Sequence, residues 1–123
     1  MNRIFINLTN HPSNKWDEKQ IEAAKQYGEI IDISFPDITA QADEKQIVKL
    51  AEQYFDYIRG YHCTAVMVQG EFTFTYHLVK MLEEAGIPAL AACSERKVEE
   101  IVNSDYSVSK KVDFHFVRFR KYT

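Results

Sequence analysis

The sequence predicts a single α/β domain in which a mostly parallel sheet carries helices on both faces. Short apolar runs alternate along the chain with segments whose apolar residues recur at helical spacing, a pattern typical of doubly wound sheets. Three of the four glycines follow a predicted helix, and the fourth follows a predicted strand. Because the links between units are short, we expect right-handed crossovers and parallel strands.

The first strand is predicted at residues 4–8, which are largely apolar, and polar and turn-forming residues follow it in a loop at 9–14. Asp17, with Gln20 three residues later, forms the Asp version of a capping box and predicts the start of a helix. We expect Gly28 to close this helix in the left-handed conformation.

The second unit repeats this pattern. Residues 29–34 predict a strand, and Asp43 with Gln46 predicts the start of the next helix. Apolar residues then follow the i, i+3, i+4 spacing up to Gly60, where we expect the helix to end.

The third and fourth units are predicted to lie towards the other side of the sheet. Residues 64–68 are nearly all apolar and predict a central strand, after which a third helix runs to Gly86. Residues 87–93 predict a fourth buried strand. Ser94 is the expected N-cap of a short fourth helix, whose apolar positions lie within residues 98–102.

The last predicted strand covers residues 112–119. It alternates through Phe114 and Phe116 and then changes phase at Val117, as an edge strand with a bulge does. The predicted strand order is 2-1-3-4, with this strand added at an edge. Residues 1–123 contain no linker or repeat, so we expect one domain.

Composition limits the class of protein. The chain has 123 residues, 46% of them hydrophobic, which is enough for one core, and a formal net charge of −3, which gives no general attraction to duplex nucleic acid. We expect a cytoplasmic protein, since no signal or membrane-spanning segment is apparent. Cys63 and Cys93 lie at opposite ends of two predicted strands and are expected to be free thiols.

Several catalytic motifs are missing from the sequence. It has no G-x-G-x-x-G, G-x-x-x-x-G-K-[ST], G-x-S-x-G, H-E-x-x-H or C-x-x-C, and no cluster of acidic residues. We therefore expect an enzyme with this sequence to work without a metal or an organic cofactor.

The candidate site lies beyond the carboxyl ends of the strands. In open parallel sheets, ligands bind where successive crossovers leave in opposite directions, here between strands one and three. The loops after strands one, three and four bring polar residues to this edge, namely Asn7, Thr9, Asn10, His11 and Ser13, then Gln69, Gly70, Glu71 and Thr73, then Ser94, Glu95 and Arg96. Their amides and hydroxyls suit sugars, bases and phosphates.

Three of these residues are the candidate catalytic groups. His11 is the only histidine in these loops and is the natural general acid or base near neutral pH. Glu71 can orient a hydroxyl or act as a base. Arg96 can bind a phosphate in bidentate fashion.

Each of these interpretations has a structural alternative. His11 can simply form part of a turn, and Glu71 and Ser94 can be helix caps. Arg96 can be a solvated surface charge. Trp16, before the first helix, is expected to pack on Ile21 as a hydrophobic staple rather than to stack on a base.

Three segments resemble a known group of proteins. Residues 6–12 (INLTNHP), 68–73 (VQGEFT) and 91–96 (AACSER) resemble small CRISPR-associated proteins with a Rossmann-like fold, which are related to the domains that sense cyclic oligoadenylate. Some of those proteins are ring nucleases.

The resemblance implies a homodimer that binds cyclic tetra-adenylate across its two-fold axis and opens the ring without a metal, switching off a type III CRISPR response. In that chemistry a ribose 2′-hydroxyl attacks the adjacent phosphate and leaves a 2′,3′-cyclic phosphate. Arg96 and His11 would then stabilise the phosphate and the leaving group. The alternatives are a module that binds the ligand without cutting it, an enzyme that uses Glu71 as a nucleophile on a nucleoside, and an interaction protein.

Overall fold

A computed structural model describes residues 3–123. Five strands, three α-helices and one turn of 3-10 helix follow one another along the chain. In order they are β1 (Ile4–Thr9), the 3-10 turn (Ser13–Lys15), α1 (Glu18–Lys25), β2 (Glu29–Ser34), α2 (Glu44–Arg59), β3 (Ala65–Val68), α3 (Phe72–Glu84), β4 (Ala89–Val102) and β5 (Val108–Lys121).

The strands form one sheet in the order β2-β1-β3-β4-β5. β1 pairs in parallel with both β2 and β3, and β3 pairs in parallel with β4, whereas β4 and β5 pair in antiparallel fashion. The predicted α/β fold, with a mostly parallel sheet and a last strand at the edge, is confirmed.

The core has two layers, one on each face of the sheet. Ile6 and Leu8 of β1 belong to the larger cluster, which includes buried residues of α2 and α3. Phe5, their neighbour on the opposite face, packs with Phe119 of β5 and Ala24 of α1. The alternation of side chains along β1 thus assigns α1 to one face, and α2 and α3 to the other.

The predicted starts of the first two helices are confirmed. The Asp43 carboxylate accepts from the Gln46 backbone N–H at 2.9 Å, and the full capping box is present. Asp17 likewise accepts from the Gln20 N–H at 2.9 Å, and its second oxygen accepts from the Phe116 N–H at 3.3 Å. The cap of α1 therefore also ties this helix to β5.

Trp16 packs differently from the predicted staple. Its ring contacts Phe5 edge-on, with centroids 6.3 Å apart, and also contacts Phe119. Ile21 is not part of this cluster. Trp16 packs on the core because the aromatic side chains of β1 and β5 present more apolar surface than the first turns of α1 do.

The predicted helix after Ser94 is wrong, because β4 continues without interruption to Val102. The spacing of Val98, Ile101 and Val102 fits a helix, but Val98 and Val102 are four residues apart and therefore also lie on one face of a strand. They face Val112 and Val108 of β5, and this cross-strand pairing outweighs the weak local helical pattern. Ser94 is consequently a strand residue and caps nothing.

The predicted bulge at Val117 is confirmed. Cys93 pairs with Arg118 but Ser94 pairs with Phe116, so Val117 is the extra residue of β5. The insertion brings Phe116 to the face that already holds Phe119, and α1 covers both rings.

Beyond the bulge, β4 and β5 form a two-stranded ribbon, which we define as residues 94–116. Nearly all of its side chains are exposed on both faces, and Phe116 at its base is buried. A turn closed by the Asn103 N–H and the Ser107 carbonyl forms the tip, where Tyr106 has a φ of 69°. We call the rest of the described chain the body.

Two further observations complete the fold. Cys63 and Cys93 are free, as predicted. Within residues 3–123, none of the helices has the length and apolar character needed to cross a membrane.

Candidate functional site

Two clefts lie at the carboxyl edge of the sheet, where Leu8 of β1 pairs with Val68 of β3. The smaller, the His11 cleft, measures about 370 Å³ and is lined by His11, Lys15, Trp16, Asp17, Gln20, Met67, Gln69, Ala92, Ser94, Phe114 and Phe116. The larger, the Tyr76 cleft, measures about 690 Å³ and is lined by Gln69, Gly70, Phe72, Thr75, Tyr76, Val79, Lys80, Glu83 and Tyr122. Gln69 borders both clefts.

The loop that carries His11 is fixed through its own backbone. The His11 carbonyl oxygen accepts hydrogen bonds from Asn7 Nδ2 at 2.9 Å, from Thr9 Oγ1 at 3.2 Å and from Trp16 Nε1 at 3.0 Å. Asn7 and Thr9 are buried, so their two bonds to this oxygen are partly shielded from water. The His11 side chain remains exposed at the cleft, held by a rigid main chain.

Asp32 on β2 anchors the same loop from the side. Its carboxylate accepts from Asn7 Nδ2 at 2.9 Å, and from the Ser13 hydroxyl at 2.8 Å. Asn7, Thr9 and Ser13 therefore direct their polar groups to partners inside the protein. These three predicted ligand-binding residues therefore position the loop that carries His11.

The His11 cleft combines basic and aromatic side chains. His11 and Lys15 are exposed on one wall, and Trp16 stands beside them, half-buried. Phe114 of the ribbon lies on the opposite wall and is 69% exposed. Cations beside exposed rings can bind phosphates and stack on bases at the same time.

Gln69 joins the end of β3 to β4. Its Oε1 accepts from the Ala92 N–H at 2.8 Å, and its Nε2 donates to the Ala92 carbonyl at 3.5 Å. This side chain thereby replaces the main-chain pairing that β3 no longer provides and forms the partition between the two clefts. Gly70 follows with the Phe35 ring packed against it, and a Cβ there would lie 2.3 Å from Phe35 Cζ.

Glu71 is the N-cap of α3. Its carboxylate accepts from the Thr73 hydroxyl, the Thr73 N–H and the Phe74 N–H. These bonds, the Thr73 hydroxyl first among them, hold the pKa of Glu71 below its ordinary value. A carboxylate stabilised in this way is a weak base, so the capping alternative accounts for Glu71 and Thr73 together.

Three other predicted residues lie outside the linings of both clefts. Asn10 is exposed in the loop, and Glu95 is exposed on the ribbon face opposite Ser94. Arg96 pairs directly with Phe114, on the same ribbon face as Ser94. Because facing side chains of an antiparallel pair lie close together, Arg96 extends the outer end of the His11 cleft.

Sequence reasoning missed Lys15, Asp32, Phe114 and Phe116 as parts of this region. The two phenylalanines lie in the predicted last strand, but their position at the cleft depends on the non-local pairing of that strand with residues after Cys93. Asp32 had a signal too, since it is the only acid within an otherwise apolar run and pairs in register with Asn7.

The Tyr76 cleft is bordered by two exposed aromatic side chains, Phe72 at 90% and Tyr76 at 63%. At its base the Tyr122 hydroxyl donates to the Val68 carbonyl, which fixes the end of the chain against β3. Burial raises the pKa of Tyr122. None of the candidate catalytic residues from the sequence lines this cleft.

Within residues 3–123, no three His, Cys, Asp or Glu side chains cluster closely enough to hold a metal ion. The fold and the two clefts define a small doubly wound α/β protein with a polar, aromatic site at the switch point of its sheet. A family model described as the uncharacterized protein MJ1673 family matches residues 3–120, and the chain belongs to this family. A comparison with curated proteins gives no match.

Proposed function

We propose that this protein is a cytoplasmic, homodimeric ring nuclease that binds cyclic oligoadenylate, of the tetra-adenylate type, in the His11 cleft and opens the ring without a metal. The observation that carries the proposal is the composition of that cleft. His11 and Lys15 stand exposed beside Trp16 and Phe114, so phosphate and base can be bound together. The resemblance of three segments to CRISPR-associated proteins supplies the identity of the ligand, and the proposed role is to end a type III CRISPR response.

The proposed reaction forms one bond and breaks one. The ribose 2′-hydroxyl oxygen bonds to the adjacent phosphorus, the bond from phosphorus to the 5′-oxygen breaks, and a 2′,3′-cyclic phosphate remains. The hydroxyl loses its proton to solvent, and His11 gives a proton to the 5′-oxygen. Lys15 binds the charged phosphoryl oxygens, and base stacking holds the ribose in line.

A non-catalytic binding module is the second candidate, and the geometry of Glu71 favours it. The carboxylate caps α3 and its pKa is lowered, so it does not serve as the base that the 2′-hydroxyl requires. The same feature argues against a nucleoside-cleaving enzyme with Glu71 as nucleophile. A sensor needs only the binding groups of the His11 cleft.

Incubation with a panel of cyclic oligoadenylates in EDTA, followed by chromatographic separation and mass analysis, tests the proposal. We expect a linear product that carries a 2′,3′-cyclic phosphate, has the same mass as the ring and separates from it on the column. Intact ring at enzyme concentrations equal to the substrate, with binding retained, would establish the binding module instead. Neither binding nor cleavage would refute both.

Matched histidine variants identify the catalytic group. His11→Ala should reduce turnover by about 100-fold or more while binding changes little, as expected for loss of a general acid. His62→Asn is the control, because His62 precedes β3 at the opposite edge of the sheet and its φ of 51° is tolerated by Asn. Equal losses in the two variants would contradict a catalytic role for His11.

A further inference from the structure

The two faces of the ribbon differ in chemistry. One face carries cross-strand pairs of mostly polar and ionisable residues, namely Glu95 with His115, Lys97 with Asp113, Glu99 with Lys111 and Ile101 with Ser109. The other carries Arg96 with Phe114, Val98 with Val112, Glu100 with Lys110 and Val102 with Val108. The ribbon is therefore amphipathic, and we call the second face the valine face.

Nothing in the described chain covers the valine face. Val102 is 70% exposed, and Val98, Val108 and Val112 are also exposed. A two-stranded ribbon with an open apolar face is marginally stable in water, and contiguous apolar surface marks an interaction site. The valine face also continues the surface of Phe116 and Phe119 that α1 covers in the body.

We propose that a second copy of this chain covers the valine face, with a two-fold axis that crosses the strands at the Val98–Val112 pair. Charge complementarity identifies the occupant. This axis sets Arg96 against Glu100 of the partner subunit and Lys110 against the ring of the partner's Phe114. Val98 meets the partner's Val98, so the three central rows of the face each meet a complementary row.

The position of α1 selects this axis over the alternative. An axis parallel to the strands would place both bodies at the same end of the paired ribbons. α1 covers the same sheet face at the base of the ribbon, so two copies of α1 would then occupy the same space. An axis across the strands puts the bodies at opposite ends and avoids the collision.

The arrangement makes each subunit complete the site of the other. Ser94 and Val102 both lie four residues from Val98, in opposite directions and about 13 Å from the axis at the usual strand rise. The partner's ribbon tip therefore reaches Ser94, which lines the His11 cleft. Tyr106, 89% exposed at the tip, is then buried at the mouth of the partner's cleft. This inference does not depend on what the cleft binds.

Sedimentation velocity across a dilution series tests the valine face. Val98→Glu should weaken the wild-type dimer by about 100-fold, since it places two like charges at the axis. Lys97→Gln changes the net charge by the same amount on the opposite face and should leave the dimer intact. A monomeric wild type, or equal behaviour of the two folded variants, would overturn the proposal.

A charge exchange tests the register. Arg96→Glu and Glu100→Arg should each weaken the dimer, and the double variant should restore it, because each pair is re-formed between subunits. Within one chain the two residues are too far apart along β4 to compensate each other. Failure of the double variant to recover while the single variants are impaired would refute this axis.

Trp16, the single tryptophan, tests the position of the tip. It lines the His11 cleft, so its emission should shift to longer wavelength on dilution, with the same midpoint as dimer dissociation. Tyr106→Ser should reduce that shift. Constant emission through dissociation would contradict the placement of the tip. These readouts need no nucleotide, so they fail independently of the nuclease assay.

Discussion

The β4–β5 pair has two parts that share one hydrogen-bonded ladder and differ in what covers them. On the body side of the bulge, Leu90 and Phe119 are buried against α1 and β1. On the ribbon side, Val98, Val112 and Phe114 repeat the same alternation but are exposed to solvent. An apolar strand face therefore indicates a surface that is covered, but it does not show whether the same chain or another chain covers it.

The largest expected effect separates these two parts by one substitution in each. Phe119→Ala should lower the free energy of unfolding by about 3–4 kcal/mol, because it removes a ring packed against Phe5, Trp16 and Phe116. Phe114→Ala, on the same strand face but exposed, should lower it by less than about 1 kcal/mol in the monomer. Urea denaturation of dilute protein measures both.

Similar losses of unfolding free energy in the two phenylalanine variants would contradict this difference between the body and the ribbon. The ribbon would then belong to the folded body rather than extend from it. A loss of stability in Phe114→Ala that appears only at high protein concentration would instead support the difference, because the ring would then be buried by association.

A second expected effect concerns the close approach between the backbone at Gly28 and the backbone at Arg3, just before β1 begins. Gly28 has a φ of 151°, and a Cβ there would lie 2.3 Å from the Arg3 carbonyl carbon. Gly86 has a φ of 75° and open space around it. Gly28→Ala should therefore cost about 2–3 kcal/mol, strain and collision together, and Gly86→Ala about 1 kcal/mol, strain alone.

Thermal unfolding of the two alanine variants provides the measurement. Equal shifts in Tm would mean that β1 and β2 can move apart at Gly28. That result would contradict a close backbone contact at Gly28.

The sequence predicted the body well because its signals are local. The capping box at Asp43, the glycines after the helices and the apolar runs each report on their own segment. The ribbon was predicted only in part. Its outer strand pairs are non-local, and the spacing of Val98, Ile101 and Val102 fits a helix as well as a strand until β5 is placed beside them.

The site was predicted in location and less well in roles. His11, Gln69 and Ser94 do line one cleft at the carboxyl edge. The roles of Asn7 and Thr9 depend on bonds to the His11 carbonyl, which the loop presents only after folding. Polar residue types indicate an edge where chemistry is possible, but their internal partners decide which of them remain free.

A smaller effect is expected from the cap of α3 in the body. The pKa of Glu71 is lowered on folding, so its contribution to stability is present above the unfolded pKa and is lost as the pH falls through the folded pKa. Wild type should be about 0.5 kcal/mol more stable than Glu71→Gln at neutral pH, and the difference should vanish in acid. Urea denaturation at a series of pH values measures it, and a difference that grows as the pH falls would contradict the sign.

The smallest effect is expected on the polar face of the ribbon. Lys111 and Asp113 form an ion pair with 3.6 Å between Nζ and Oδ2, and both side chains are well exposed. Asp113→Asn should change the free energy of unfolding by less than about 0.5 kcal/mol, because water and salt screen the pair. The double variant with Lys111→Gln should show the same small coupling in urea denaturation. A coupling several times larger would mean that this face is also shielded from solvent, and the ribbon would then be covered on both sides rather than on the valine face alone.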